Sequence, residues 1–406
     1  MSARTVIVGA SHAGVAAAAK LRSLSADADI TLISSDAYFP YHRPVLSKAY
    51  LADKASLTDI QLRPPSWYDE NGVRLLLGTR VTAVDRAAKA VSLSNGDILP
   101  YDNLVLATGA VPRRLPAAMG GELPNVYCVR DLNDANRLKS EMLEGRKLVV
   151  IGGGYIGLEA ASEASKKGLS VTVLEAADRI LQRVAAKETS DHIRVLHKGH
   201  GVDIREGVQV WRIAETHDRA SGVELADGAL IAADFIIAGI GIIPDIDLAE
   251  SAGLETANGI VVDEALRSSD PTIYAIGDCA SFPRNGTHLR LESVQNANDQ
   301  GNVAASNIAG QTLAYNAVPW FWSDQFDLKL QIAGLNIGYD QVVVRQGANP
   351  ASRAHFYFRG DLFLSADCFN DPLTFAMSRK ILELAKPLAK EQAADSSFAL
   401  KTLISA

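Results

Sequence analysis

The 406-residue sequence has little cysteine: Cys128, Cys279 and Cys368 form no close pair and no metal-ligand spacing. That excludes a disulfide-stapled secreted module, fits a reducing compartment, and leaves no ligand set for zinc or an iron–sulfur cluster held in this chain. Positive charge is not in excess either, with 40 Lys+Arg against 47 Asp+Glu and a net charge of −7. A general nucleic-acid binder, which draws its affinity from cations, is therefore excluded. Long apolar runs are also missing. The longest, Phe235 to Pro244, spans ten positions and contains two glycines, short of the roughly 18 residues that cross a bilayer. The apolar start from Thr5 is interrupted by Ser11-His12 between Gly9 and Gly14, so it reads as strand, turn and helix rather than as a secretory signal. The expectation is a soluble, cytoplasmic chain without a membrane segment, in which any redox centre must be borrowed.

What is present is 48% hydrophobic residues with 31 glycines, the composition of an ordinary α/β globule. At roughly 150 residues per domain, the length suggests two or three domains. Two segments share one plan. Thr5–Val8 is a β-type run followed by Gly9-Ala10-Ser11-His12-Ala13-Gly14 and an alanine-rich helical stretch to about Leu24. Leu148–Ile151 is a second such run, followed by Gly152-Gly153-Gly154-Tyr155-Ile156-Gly157 and a helical stretch to about Lys167. Each helix leads to another β-type run, Ile30–Ile33 or Val171–Leu174, and each ends near an acid, Asp36 or Glu175. The closing segments also match, Leu104-Val-Leu-Ala-Thr108-Gly109 against Phe235-Ile-Ile-Ala-Gly239-Ile-Gly241. The fold class expected is α/β, with two Rossmann-like dinucleotide-binding domains in one polypeptide.

In such turns the first glycine permits the tight strand-to-helix bend, the second lets backbone approach a pyrophosphate, and the third lets the helix pack on the strand. The phosphate then meets the positive end of the helix. The copies differ: Ser11 replaces the middle glycine of the first, and the acid arrives 36 − 9 = 27 residues after the first glycine against 175 − 152 = 23 in the second. Glu175 directly follows its strand and suits the ribose hydroxyls of an adenosine. A 2′-phosphate beside it would set like charges about 4 Å apart, which costs on the order of 4 kcal/mol at an intermediate dielectric. NADH is expected over NADPH. Thr272-Ile-Tyr-Ala-Ile-Gly277-Asp278 is a further β-run ending in Gly-Asp, a place where flavoproteins with two such domains bind the ribityl chain.

Over nearly its whole length the sequence resembles the FAD-dependent NADH:ferredoxin reductases. The resemblance is carried by Val6–Gly14, Pro40-Tyr-His-Arg43-Pro-Val-Leu-Ser-Lys48, Val150–Glu159, Ile276-Gly-Asp278 and Pro319-Trp-Phe-Trp-Ser-Asp-Gln325. The last run is the most distinctive, because the fold alone does not require it. The resemblance implies a glutathione-reductase-like plan: a discontinuous FAD domain at 1–112 and 242–314, an NADH domain at 113–241 and a C-terminal α+β interface domain at 315–406. It implies that FAD touches Gly9, Ser11, His12, Ala13, Gly14, Asp36, Arg43, Lys48, Val81, Thr108, Gly109, Arg130, Gly277, Asp278, Val294 and Trp322. NADH would touch Gly152, Gly154, Tyr155, Ile156, Gly157, Glu159, Glu175, Arg183, Gly241 and Glu292. Lys48 and Glu159 are the implied catalytic pair.

Trp320 and Trp322 are read as facing opposite ways, one toward the flavin and one into core. Leu328–Ala333, Gln341–Val344, His355–Phe358 and Leu362–Ser365 read as short strands, followed by a helix from Asp371 to Leu388 and a partly mobile tail ending Ser405-Ala406. The implied partner is a small, acidic 2Fe-2S ferredoxin that feeds a haem monooxygenase or a ring-hydroxylating oxygenase. A local basic patch drawn from Arg284, Arg290, Lys329 and Arg379 is expected to steer it. The oligomeric state is open, with a monomer favoured. Relatives that reduce disulfides carry a cysteine beside the flavin; the loop Tyr38–Arg43 has none. A rubredoxin reductase, an NADH oxidase, or a non-enzymatic flavin switch like apoptosis-inducing factor are the alternatives.

Overall fold

A computed structural model describes residues 3–404. The chain divides into two compact units: one of residues up to Arg43, Ser56–Val111 and Ile242–Ala317, the other of Pro44–Ala55, Pro112–Gly241 and Val318 onward. The short stretch 44–55, inside the range expected for the FAD domain, packs with the second unit.

The first unit is built on a parallel sheet with spatial order Val73–Leu76, Asp29–Ile33, Arg4–Val8, Asn103–Leu106, Ile273–Ala275. Its central strands read as nearly continuous apolar runs because successive residues, which alternate between the two faces, are buried after the first position of each strand, leaving no wet side to alternate toward. The helix His12–Leu24 packs closely on Val294–Ile308. A Cβ on Gly301 would sit 2.6 Å from the Ala13 carbonyl oxygen, so this approach requires glycine.

The second unit repeats the sheet, in order Asp203–Arg205, Ser170–Leu174, Lys147–Ile151, Phe235–Ala238, Val126–Tyr127. The repeat goes further than the sequence indicates. Each copy carries a three-stranded antiparallel insertion just before a strand that pairs with the turn strand, Val81–Pro100 before Asn103–Leu106 in one and Val210–Ala232 before Phe235–Ala238 in the other.

The C-terminal part is an antiparallel five-stranded sheet in the order Trp320–Gln325, Leu328–Gly334, Leu362–Phe369, Arg353–Arg359, Gln341–Gln346, covered by the helix Pro372–Glu383. The expected opposite facing of Trp320 and Trp322 is wrong. Their rings lie 5.7 Å apart, since residues two apart in a strand share a face. The helix expected to reach Leu388 ends at Glu383, where Ala385 takes a left-handed φ of 49°. Nor is the tail loose up to residue 404: Leu388, Ala393 and Leu400 are buried in the last core cluster. Arg345 donates to the carbonyls of Gln392 (3.1 Å), Asp395 (2.7 Å) and Phe398 (2.8 Å), fixing the tail through backbone. Ser405 and Ala406 lie outside the described residues.

Among the described residues, no helix is long and apolar enough to cross a membrane, and no group of His, Cys, Asp or Glu could hold a metal ion.

Candidate functional site

Both glycine turns are set by backbone crowding. Gly9 has φ +110° and a Cβ there would lie 2.1 Å from the Ala107 oxygen; Gly152 has φ +107° and would meet the Gly239 oxygen at 2.3 Å. The third glycines press on the first: a Cβ on Gly14 would lie 1.9 Å from the Gly9 oxygen, and one on Gly157 2.5 Å from the Gly152 oxygen. The middle position differs in kind. Gly154 has ordinary extended dihedrals and open space around its absent Cβ, and Ser11 has similar dihedrals. Protein packing therefore tolerates serine there, because a side chain at this position enters open space.

Neither turn helix has a side-chain cap: Ser11 and Gly154 are the N-caps and neither satisfies the first-turn amides with a side chain. Unpaired N–H groups at a helix start, reached through a turn with no bulk, fit a pyrophosphate. In the first unit Ser11, Asp36 and Arg43 border one small cavity together with Ser34, Tyr38 and Tyr41. Arg43 Nε donates to Ser11 Oγ at 3.2 Å, and Asp36 accepts from the Tyr41 hydroxyl at 2.8 Å and the Tyr38 amide at 3.2 Å. His12 opens the helix, buried, with its ring 5.4 Å from that of His42.

Gly277, at φ +79°, sits where a Cβ would meet Ala13 at 3.1 Å, and its amide donates to Gln300 at 2.7 Å. The Gly277-Asp278 turn, the first helix start and the helix that begins at Val294 are thus neighbours. Thr108 donates through Oγ1 to the Asp245 oxygen at 2.6 Å, while Gly109 accepts from the Asp245 amide at 3.0 Å. Val81 is buried at the start of its strand, and Glu292 pairs with Arg290 at 2.7 Å.

In the second unit, the Glu175 carboxylate is aimed by the amides of Gly153 (2.7 Å) and Ala177 (2.8 Å). Two backbone donors fix its orientation and leave lone pairs over for hydroxyls. Arg179 is committed elsewhere, donating to Ser190 Oγ and to the carbonyls of Ala185 (2.8 Å) and Gln182 (3.4 Å). Arg183 is exposed, and space beside Gly241 is bordered by Arg183 and Arg113. Ile156 is exposed at the helix start, Tyr155 lies 5.1 Å ring to ring from Phe321, and the Arg130 amide donates to Asp134 at 3.1 Å.

Lys48 and Glu159, 111 residues apart, meet as a mostly buried ion pair, with side chains 15% and 4% exposed and Nζ to Oε2 at 2.7 Å. Lys48 also donates to the Pro44 oxygen at 3.2 Å. Glu159 further accepts from Ser47 Oγ at 2.8 Å and from Ser323 Oγ at 2.7 Å. A pair this buried costs desolvation that only a full set of hydrogen bonds offsets. Ser47 and Ser323 supply that set, and sequence reasoning missed both. The i, i+2 spacing of Ser323 and Gln325 on a strand was the available signal.

All three cysteines are buried and unpaired, and burial pushes each thiol up from its usual range. A buried thiol that resists ionisation is a poor nucleophile. The expected basic patch is largely engaged: Arg290 pairs with Glu292, Arg379 with Glu383, and Arg284 donates to the Ala317 oxygen.

Residues 3–301 match the family model of pyridine nucleotide-disulphide oxidoreductases, and residues 320–404 match the reductase C-terminal domain. The chain is 42% identical to putidaredoxin reductase of Pseudomonas putida, over 99% of this chain and 96% of the relative. It is 44% identical to rhodocoxin reductase of Rhodococcus erythropolis, over 98% and 94%. A crystal structure of a covalent putidaredoxin reductase–putidaredoxin complex matches with a TM-score of 0.96, covering 99% of this chain and 98% of that one. The two nucleotide turns, the C-terminal sheet and these likenesses together assign the chain to the pyridine nucleotide-disulphide oxidoreductases, among their ferredoxin reductases.

Proposed function

We propose that this oxidoreductase takes electrons from NADH and passes them, through bound FAD, to a small 2Fe-2S ferredoxin serving a haem monooxygenase or a ring-hydroxylating oxygenase. The observation that carries the reading is the presence of two uncapped nucleotide turns in one chain that offers no accessible thiol. When bound, the flavin supplies the conversion of a two-electron hydride into two single-electron transfers.

The chain's own residues bind and aim. Ser11, Arg43 and the amides at the start of the first helix hold the FAD pyrophosphate, Asp36 its adenosine ribose, and Asp278 its ribityl chain, with Thr108, Gly109, Val81, Arg130, Val294 and Trp322 bordering the rest. Gly152, Gly154 and the helix start through Gly157 hold the NADH pyrophosphate. Glu175 takes the ribose hydroxyls, and its charge, with Arg179 committed to the loop, disfavours a 2′-phosphate. Lys48 supplies positive charge where electron density accumulates, and Glu159 fixes the position of its ammonium group. Positioning of the two rings is the main catalytic contribution. The three-part domain plan, FAD at 1–112 and 242–314, NADH at 113–241 and the interface domain at 315–406, belongs to this reading, as do cytoplasmic location and a transient, charge-steered partner contact.

Stopped-flow mixing of the FAD-loaded protein with NADH, then with a panel of ferredoxins, tests it. NADH is expected to bleach the flavin band within a turnover, and a 2Fe-2S ferredoxin to restore it. Restoration by rubredoxin or oxygen alone rejects the partner assigned.

A further inference from the structure

The run Trp322-Ser-Asp-Gln325 is not required to make a strand, yet its inner face carries two polar side chains. Ser323 and Gln325 are 0% and 1% exposed, and they share a face because they are two apart. Each is one link in a continuous chain of hydrogen bonds. His197 Nε2 meets Gln325 Oε1 at 2.8 Å, Gln325 Nε2 meets Ser323 Oγ at 3.0 Å, and Ser323 Oγ meets Glu159 Oε1 at 2.7 Å.

The chemistry of the two ends fixes the direction. A carboxylate only accepts, so the Ser323 hydroxyl must donate to Glu159, and its oxygen is then the acceptor for the Gln325 amide nitrogen. The Gln325 oxygen therefore accepts from His197, whose proton sits on Nε2. His197 Nδ1 is buried without a partner. In the opposite direction that atom would be an orphaned buried N–H, the costlier arrangement, since unpaired buried donors are rarer than unpaired acceptors. Burial pushes His197 down to about 4, which keeps the ring neutral and the direction unchanged at physiological pH.

We propose that His197, Gln325 and Ser323 form a one-way hydrogen-bond relay that holds the Glu159 carboxylate in the orientation that places Lys48. These are positioning residues, with His197 on the helix Lys187–Gly199 and the other two on the first strand of the C-terminal sheet. The inference rests on the role of Lys48 and Glu159 given under the proposed function. It assigns a purpose to the Ser-x-Gln spacing that the fold leaves unexplained.

Gln325→Glu preserves shape but inverts the middle link: a carboxylate at 325 attracts the Ser323 hydroxyl away from Glu159. Gln325→Glu and Ser323→Ala should both slow flavin reduction by NADH about tenfold, the scale of one hydrogen bond to a charged group, while FAD content stays at the parent level. Ser323→Thr, which keeps the hydroxyl, should return the rate to near that of the parent. Independently of turnover, 15N NMR of histidine-labelled parent protein should find the His197 proton on Nε2. A proton on Nδ1, parent-like rates in Ser323→Ala and Gln325→Glu, or a Ser323→Thr variant as slow as Ser323→Ala would each overturn the relay. A parent protein that NADH does not reduce would instead reject the proposed function, with the NMR result still deciding the relay.

Discussion

The two copies of the sheet-and-turn unit share strand order, turn geometry and even the three-stranded insertion, yet they diverge at the middle of the turn, at the acid and in the helix that follows it. The first has Ser11 at the middle of its turn, joined to Arg43, and an acid that comes late and is held by Tyr41. The second has Gly154 there and Glu175 at the strand end, aimed by two backbone amides. Between the strand that leads to the acid and the edge strand beside it, the first copy has the short 3-10 helix Arg43–Ser47 and the five-residue helix Ser66–Glu70, whereas the second has the thirteen-residue helix Lys187–Gly199. That longer helix carries Thr189, His192 and His197 to buried partners on the C-terminal sheet: Thr189 bonds Asp367 at 2.7 Å, and His192 packs edge-on against Phe369. The positions that agree are those where backbone meets backbone. Those that differ lie at the middle of the turn, at the acid and on the helix that supports the added sheet.

The sharpest break in the comparison is expected from the third glycine. Gly14→Ala forces a Cβ against the Gly9 oxygen and should cost roughly 3 kcal/mol or more, read as a fall in the urea midpoint and loss of retained FAD. Gly154→Ser, which copies the first turn into the second, should leave stability unchanged because the site is open. Equal losses from both would contradict the packing argument.

Next in size is nucleotide choice. A like-charge contact costs about 4 kcal/mol at 4 Å and an intermediate dielectric. Screening at the half-buried Glu175 reduces this to about 2.7 kcal/mol, or about hundredfold in kcat/KM for NADH over NADPH. Glu175→Ser should remove most of that ratio. A parent enzyme without preference refutes the role of Glu175.

The smallest effect concerns acid. Burial holds His192 and His197 down at about 4 and His355 at about 3, all in the second unit. As pH falls through the unfolded value near 6.5, the unfolded chain takes up protons that the native state refuses, so stability is lost toward pH 4. Asp367, pushed up to about 6 by burial, opposes the trend because the native state keeps its proton, but one acid faces three bases. Each histidine contributes on the order of 1–2 kcal/mol. His192→Gln should flatten the fall in Tm between pH 6.5 and 4.5; a flat parent curve would contradict the assignment.

The turns, their strands and the trailing acids were legible because their constraints are local and steric: a glycine that must be glycine shows itself within six residues. The insertions were not, since strands such as Val210–Thr216 are mostly exposed and carry little apolar alternation. Lys48 and Glu159 were reached only through resemblance, and their supports not at all, because partners 112, 128 and 164 residues apart leave no spacing to read. Arg345 holds the tail through carbonyls, which every residue has. The tryptophan pair was legible and was misread, against the strand's period of two.

The central claim is that electrons pass from NADH to an iron–sulfur partner with no sulfur of this chain involved. It is tested most directly by replacing Cys128, Cys279 and Cys368 together with alanine and following the flavin band as NADH and then a 2Fe-2S ferredoxin are added. The account predicts bleaching and recovery at parent rates in the folded, yellow variant. Bleaching that stops, or recovery that fails, while the variant retains its FAD would contradict it.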